Sequence, residues 1–208
     1  MRKWMGVICV FLGVVCILSA AGFAVYNRWE DDQAEETAQD LLADVQSIMD
    51  ETQPQQPLPD DPVSLPYDAE KTPAEMETVN VGGYDCIGIL SVPVFNLELP
   101  VLTDWSYAKL KKAPCHCYGT YYEKDFVIAA HNYKSHFGRL SELQAGDVVL
   151  FTDVSGTAHY YEVVLIETLP KNATQEMITS GFDLSLYTCT PGGASRVTVR
   201  CNVVKGSN

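Results

Sequence analysis

The sequence predicts an all-β domain, a closed or nearly closed barrel with a few short helices, carried behind an N-terminal transmembrane helix and a linker. Three observations lead there. From about residue 79 the chain breaks into short apolar and β-branched runs separated by turn formers. Helical periodicity in that part is confined to pieces of one or two turns. The residues before it form an unbroken apolar run and then an acidic, proline-rich stretch, neither of which reads as strands.

Met5 to Tyr26 is an uncharged run of 22 residues. As a helix it would be about 33 Å long, against a hydrocarbon core of about 30 Å. Arg2 and Lys3 precede it, which predicts a cytoplasmic N-terminus and an exported remainder. A cleaved signal peptide is the rival reading, because Ser19-Ala20-Ala21 offers small residues at a suitable place. The apolar run continues past that point, which favours an anchor. Next, Ala34, Ala38, Leu41, Leu42, Val45, Ile48 and Met49 recur at helical spacing and predict a helix over about residues 32–50. Its apolar stripe would pack on the domain or on another copy. Pro54, Pro57, Pro59, Pro62 and Pro66 then predict an extended linker. The expected organisation is a stub and anchor over 1–28, an acidic juxtamembrane helix and linker over 29–80, and a catalytic β-barrel over 81–208.

The net charge of −13 is unevenly placed. Residues 1–28 carry +3, residues 29–80 carry −14 and residues 81–208 carry −2. The acidity belongs to a solvated, self-repelling tether, and the domain is nearly neutral. A nucleic-acid surface would be basic, so that function class is excluded.

Within the domain, strands are expected at Tyr84–Leu90, Leu99–Leu102, Phe126–His131, Asp147–Thr152, Ala158–Thr168, Leu184–Cys189 and Arg196–Val204. Short helices fit Tyr107–Lys111, Phe137–Leu143 and Thr174–Thr179. Many short strands with few helices suggest barrel closure.

The chemistry-bearing residues converge on the last hairpin. Cys189 ends one strand, Thr190-Pro191-Gly192-Gly193 turns the chain, and Arg196 opens the next strand. On that strand Val197, Val199, Cys201 and Val203 alternate with Arg196, Thr198, Arg200 and Asn202, so the first set faces the core. Cys201 reads as structural. Arg200 lies about 13 Å further along than Arg196, so only Arg196 could serve an oxyanion formed at Cys189. Cys86, Cys115, Cys117, Cys189 and Cys201 are five exported cysteines, so at least one is a free thiol; the pairing of the others stays open. Of four histidines, His131 ends an apolar strand, where a polar residue reaches the barrel rim. Cys115-His116-Cys117 lacks the second ligand pair of a zinc site, so no metal is expected.

These residues resemble the sortases, the cysteine transpeptidases of Gram-positive cell surfaces. Ser185-Leu186-Tyr187-Thr188-Cys189 is similar to the family's TLxTC nucleophile signature, with Ser for the first Thr. Thr190-Pro-Gly-Gly followed by Arg196-Val-Thr-Val-Arg200 resembles the segment with the essential arginine. Val127-Ile-Ala-Ala-His131-Asn132 resembles the strand that ends in the catalytic histidine. The resemblance covers about residues 82–204. It implies an eight-stranded sortase β-barrel with His131, Cys189 and Arg196 catalytic, Thr188 and Ala130 at the substrate, and no cofactor.

It further implies cleavage of an LPxTG-like sorting signal through a thioacyl-enzyme, and transfer to an amine of a peptidoglycan precursor or a protein lysine. The implied partners are surface proteins bearing that signal, and the implied location is the cell membrane with the domain outside. A thiol hydrolase or protease and a non-catalytic tethered binding module are the alternatives. Pilin-polymerising members often carry an Asp-Pro-aromatic lid; here Val63 follows Asp61-Pro62, and the class stays open. Leu65-Pro66 in the linker mimics the start of a sorting signal and could act as a pseudosubstrate.

Overall fold

The computed structural model describes residues 2–52 and 76–204. The proline-rich linker, with Asp61-Pro62 and Leu65-Pro66, lies outside the described residues. The first element, α1, runs without interruption over Arg2–Thr52. The sequence reading separated an anchor from a juxtamembrane helix. They are one helix because nothing between Tyr26 and Ala34 breaks it, and the first proline of the chain is Pro54.

The two halves of α1 differ in their surroundings. The first half is apolar all round and exposed, as at Phe11, Leu18 and Phe23. It is long and apolar enough to cross a bilayer and fits a membrane anchor. In the second half Ala34, Ala38, Leu41, Leu42, Val45 and Met49 form a buried stripe. The stripe packs on the barrel, against Val81, Cys86, Ile89, Leu102, Ala113 and Cys115. The two alanines, at 2 % and 0 % exposure, let the helix backbone come close to the sheet.

Nine strands follow: β1 Val79–Val81, β2 Tyr84–Val92, β3 Leu97–Leu102, β4 Cys115–Tyr118, β5 Phe126–Ala129, β6 Val148–Asp153, β7 Ala158–Pro170, β8 Leu184–Cys189 and β9 Ser195–Val203. Their order in the sheet is β1-β2-β3-β4-β5-β8-β9-β7-β6, and β2 also pairs with β6. That last pairing closes an eight-stranded barrel from β2 to β9, with β1 as a short flanking strand. At the closing seam Gly88 pairs with Asp153, and a Cβ on Gly88 would lie 2.2 Å from the Thr152 carbonyl oxygen. Only glycine permits that approach. Two helices of a single turn, α2 at Tyr107–Leu110 and α3 at Thr174–Ile178, sit in the connections.

Inward residues of the strands, among them Leu90, Val101, Phe126, Ile128, Phe151, Leu184 and Val199, form the core. β2 is buried along both faces from Cys86 to Val92, because the barrel interior takes one face and α1 covers the other. Two strands carried no clear sequence signal. β1 is three residues long, and β4, Cys-His-Cys-Tyr, has no apolar alternation. The helix expected over Phe137–Leu143 is a single 3-10 turn at Leu140–Glu142. Before it the chain folds tightly onto itself: a Cβ on Gly138 would meet the Asn132 and Tyr133 carbonyl oxygens at 2.7 Å.

Candidate active site

Three neighbouring strands end together at one rim of the barrel. β5 and β8 are parallel, with Ala129 opposite Tyr187. The alignment continues one residue further, since the Ala130 N–H donates to the Tyr187 carbonyl at 3.2 Å. This sets His131 beside Cys189. β8 and β9 are antiparallel, with Cys189 directly opposite Arg196. At a strand spacing of about 4.8 Å, the three backbones span about 10 Å.

Alternation then fixes the face. Phe126, Ile128 and Ala130 point into the core, so Val127 and His131 share the outer face. Leu184 and Leu186 point inward, so Tyr187 and Cys189 point outward. Val197 packs on the core and Val199 lies in it, so Arg196 and Arg200 point outward. The three residues expected to be catalytic, His131, Cys189 and Arg196, therefore share one outer face at one rim.

A groove of about 330 Å³ leads along that face. Val127, Tyr187 and Arg196 form its floor, Trp105 and Cys117 line one side, and Met177 of α3 lines the other. Cys189 and His131 stand beyond its end, past Tyr187. The α3 wall is the short helix expected over Thr174–Thr179, whose place beside the groove the sequence did not indicate. Arg200 shares the outer face with Arg196 but is only 2 % exposed. Its Nε donates to Glu167 Oε1 at 2.8 Å, its Nη1 to Ser185 Oγ at 2.8 Å, and its Nη2 to the Glu176 carbonyl at 2.8 Å. The polar face of β9 is thus roofed by α3, and Arg200 ties the roof down. Asp125, in the left-handed region at φ 63°, pins the far end of the same connection by accepting from the Ser180 and Gly181 N–H groups at 2.7 and 2.9 Å.

The cysteines sort by burial. Cys86, Cys115 and Cys201 are buried, and burial pushes their thiols up to about 11, 12 and 12. Cys117 is half-buried at 3.6 Å from the Tyr187 hydroxyl, and burial raises it too. Cys189 is exposed and unpaired, and apart from Cys16 in the apolar half of α1 it is the exposed thiol of the described residues. The histidines sort by partner. His116 bridges the Thr103 and Gly119 carbonyls, and His159 pairs with Asp153 at 3.0 Å. His136 is fully buried against the α1 backbone at Ala34, and among the described residues neither ring nitrogen has a partner at full hydrogen-bond geometry. His131 is half-buried and lies flat on Tyr133, with ring centroids 4.0 Å apart. Burial pulls its pKa below the ordinary histidine value; Lys111 adds to this, while Asn132 and Glu30 oppose it.

Thr188 and Ala130, which the resemblance set at the substrate, precede Cys189 and His131 directly and are buried. Both face the barrel interior, and the Thr188 hydroxyl donates to the Ala130 carbonyl at 2.9 Å. They lock the ends of β5 and β8 together and so fix the spacing of His131 and Cys189. Arg196 rests on its own turn, its Nη1 donating to the Ser195 and Gly193 carbonyls at 3.0 and 3.2 Å.

His136 yields a stability prediction. Burial, with His131 nearby, pushes its pKa down to about 4. Unfolded, the ring takes a proton near pH 6.5. Between these values the unfolded chain binds more protons, so this group's contribution is complete above pH 6.5 and is lost as pH falls toward 4. We expect the wild type to lose about 3 kcal/mol more than His136→Phe between pH 7 and pH 4, read by denaturant unfolding. Parallel pH dependences would contradict the assignment.

Comparisons with known proteins bear on the family and the fold. A sortase-domain family model matches residues 90–204, more than half of the chain. No match to a curated protein was found. Among solved structures, sortase C1 from Streptococcus suis is 25% identical with a TM-score of 0.52, over 59% of this chain and 74% of that one. Sortase C from Clostridium perfringens SM101 is 20% identical with a TM-score of 0.52, over 89% of this chain and 99% of that one. A Clostridium perfringens sortase D5 transpeptidase is 19% identical with a TM-score of 0.52, over 58% and 80% of the two chains. The barrel, its closure and the match over its length make this an eight-stranded sortase fold. The chain belongs to the sortase family of transpeptidases.

Proposed function

We propose that this chain cleaves an LPxTG-like sorting signal with Cys189, His131 and Arg196 and passes the acyl group to an amine. The observation that carries the reading is the meeting of these three side chains on one outer face, at the joined ends of β5, β8 and β9. Cys189 passes its thiol proton to His131, and the thiolate attacks the carbonyl carbon of the signal's threonine, forming a C–S bond and an oxyanion. Arg196, with one edge of its guanidinium on the loop carbonyls, turns the other edge to that oxyanion and stabilises it. The C–N bond then breaks, and the leaving amine takes its proton from His131. An incoming amine of a peptidoglycan precursor or a protein lysine attacks the thioester, gives its proton back to His131, and frees the thiolate. No bond in this sequence requires a metal or organic cofactor.

The groove supplies the binding energy. Its Trp105, Val127, Met177 and Tyr187 suit the apolar residues that precede the scissile bond. The chain is organised as an anchor over 1–28, a juxtamembrane segment over 29–80 and a catalytic domain over 81–208, with Arg2 and Lys3 on the cytoplasmic side and the barrel outside. The test uses the full chain in detergent, a fluorescent peptide ending in LPxTG-like residues, and a small amine. We expect a thioester adduct on the peptide containing Cys189 by mass spectrometry, and an amide product. Acid product alone, whatever the amine concentration, would make the enzyme a hydrolase. No adduct with any of a library of such peptides would remove the reading.

A further inference from the structure

The loop that carries His131 is fastened to α1, and α1 is continuous with the membrane-spanning segment. Asp31 accepts from the Ser135 hydroxyl at 2.7 Å and from the Ser135 N–H at 3.3 Å, and the Asp31 carbonyl accepts from the same hydroxyl at 3.4 Å. One residue earlier, Glu30 pairs with Lys111 at 2.9 Å. Within the loop, the Phe137 N–H donates to the His131 carbonyl at 3.2 Å, and the His136 and Gly138 N–H groups donate to the Tyr133 carbonyl at 3.0 and 2.8 Å. Tyr133 in turn carries the His131 ring, stacked at 14° between planes. The His131 Nδ1 is buried and has no partner among the described residues. In many histidine catalysts a carboxylate on that nitrogen would hold the ring. Here no carboxylate holds that nitrogen, and the ring is oriented by the stack on Tyr133, the neighbouring Asn132 side chain and the shape of the loop. That shape is set from outside by Asp31.

Resting on the proposed role of His131, we infer that Asp31 is a positioning residue, through which the anchoring helix holds the catalytic histidine in place. Asp31 stands five residues beyond Tyr26, the last residue of the uncharged run, so about 7.5 Å of helix separates the clamp from the membrane segment. The membrane anchor and the catalytic rim are thus mechanically one piece. The Glu30–Lys111 pair is largely exposed and adds little by itself. The Asp31–Ser135 contacts are part-buried and engage a backbone N–H, so their loss leaves a donor without its acceptor.

The experiment compares the full chain in detergent with its Asp31→Ala, Asp31→Asn, Ser135→Ala and Asp31→Ala/Ser135→Ala forms. Transfer kinetics and hydrogen exchange over residues 131–138 are both read. A displaced general acid lowers the chemical step and leaves peptide binding alone, and displacements of an ångström have large effects. We expect Asp31→Ala to lower kcat about 10- to 100-fold with KM within about twofold. Asp31→Asn keeps an accepting oxygen and should recover most of the loss, which a purely electrostatic role would not allow. The double variant should be no worse than the worse single one. Exchange over 131–138 should rise in Asp31→Ala while β9 stays protected. An unchanged kcat in an active enzyme overturns the inference, and so does a loss that falls on KM. If the wild type transfers nothing while Asp31→Ala still loosens 131–138, the functional reading fails and the clamp stands.

Discussion

Cys189→Ala is expected to eliminate transfer, and Cys189→Ser to lower it by at least about 10⁴-fold, the scale seen when a nucleophile is removed from a coupled catalytic set. The reason is geometric and can be stated by elimination. Cys201 lies in the barrel core and Cys86 and Cys115 lie beneath α1, where burial holds their protons. Cys117 faces the groove but sits against Tyr187, with its thiol raised by burial. Cys16 belongs to the apolar half of α1. Among the cysteines whose side chains are described, Cys189 alone combines exposure, a histidine at the end of the next strand and an arginine directly across the hairpin. Cys117→Ala is the control. It is expected to change KM for the peptide, since it alters a groove wall, and to leave thioester formation in place. The same mass measurement checks both: no adduct on Cys189→Ala, a normal adduct on Cys117→Ala. Transfer by Cys189→Ala would overturn the mechanism at its first step.

The site could be found in the sequence because strands impose a period of two. Once Val197, Val199 and Cys201 were assigned inward, Arg196 had to face outward, opposite Cys189, and the register shows that pairing. The end of an apolar run at His131 gave the rim position, because a polar residue there has to leave the core. What could not be read is of two kinds. Some elements exist only through their partners. β4 is a strand because β5 hydrogen-bonds to it, and its residues have no pattern of their own.

Other features depend on what covers a face. Arg200 and Arg196 sit on the same side of β9, four residues apart, yet one is a buried tie for α3 and the other borders the groove. Nothing within β9 distinguishes them. The same holds for Thr188, whose place beside the nucleophile suggested contact with substrate but whose hydroxyl secures β5 to β8 from inside. α1 is a third case. Its apolar stripe was visible, and the barrel as its partner was one of two readings. Its continuity with the anchor was not visible, because the expected junction at residues 27–33 contains no sequence break, only a change of solvent.

Arg196→Lys is expected to lower kcat/KM for transfer by about 10²- to 10³-fold, and Arg196→Ala by a similar amount. The side chain is bound to the Ser195 and Gly193 carbonyls through a single nitrogen, Nη1. Both bonds to the turn use that one nitrogen, and a planar fork can keep one edge on the loop while presenting the other to an oxyanion. A lysine has one ammonium at the end of a flexible stem. If it occupies the two carbonyls it leaves the oxyanion without a donor; if it reaches the oxyanion it leaves two acceptors exposed. Charge is therefore retained while function is lost, and lysine should rescue little over alanine. Arg200 offers no substitute, since its guanidinium is buried against Glu167, Ser185 and the α3 carbonyls about 13 Å along the strand. The effect should fall on the acylation rate. Rapid mixing with an excess of peptide therefore separates the roles: slow thioester formation at saturating peptide marks oxyanion stabilisation, whereas a normal acylation rate reached only at much higher peptide concentration would mark Arg196 as a residue that merely holds the substrate. If Arg196→Ala acylates within about threefold of wild type, the oxyanion must be held by backbone N–H groups at the rim, and the catalytic set reduces to Cys189 and His131.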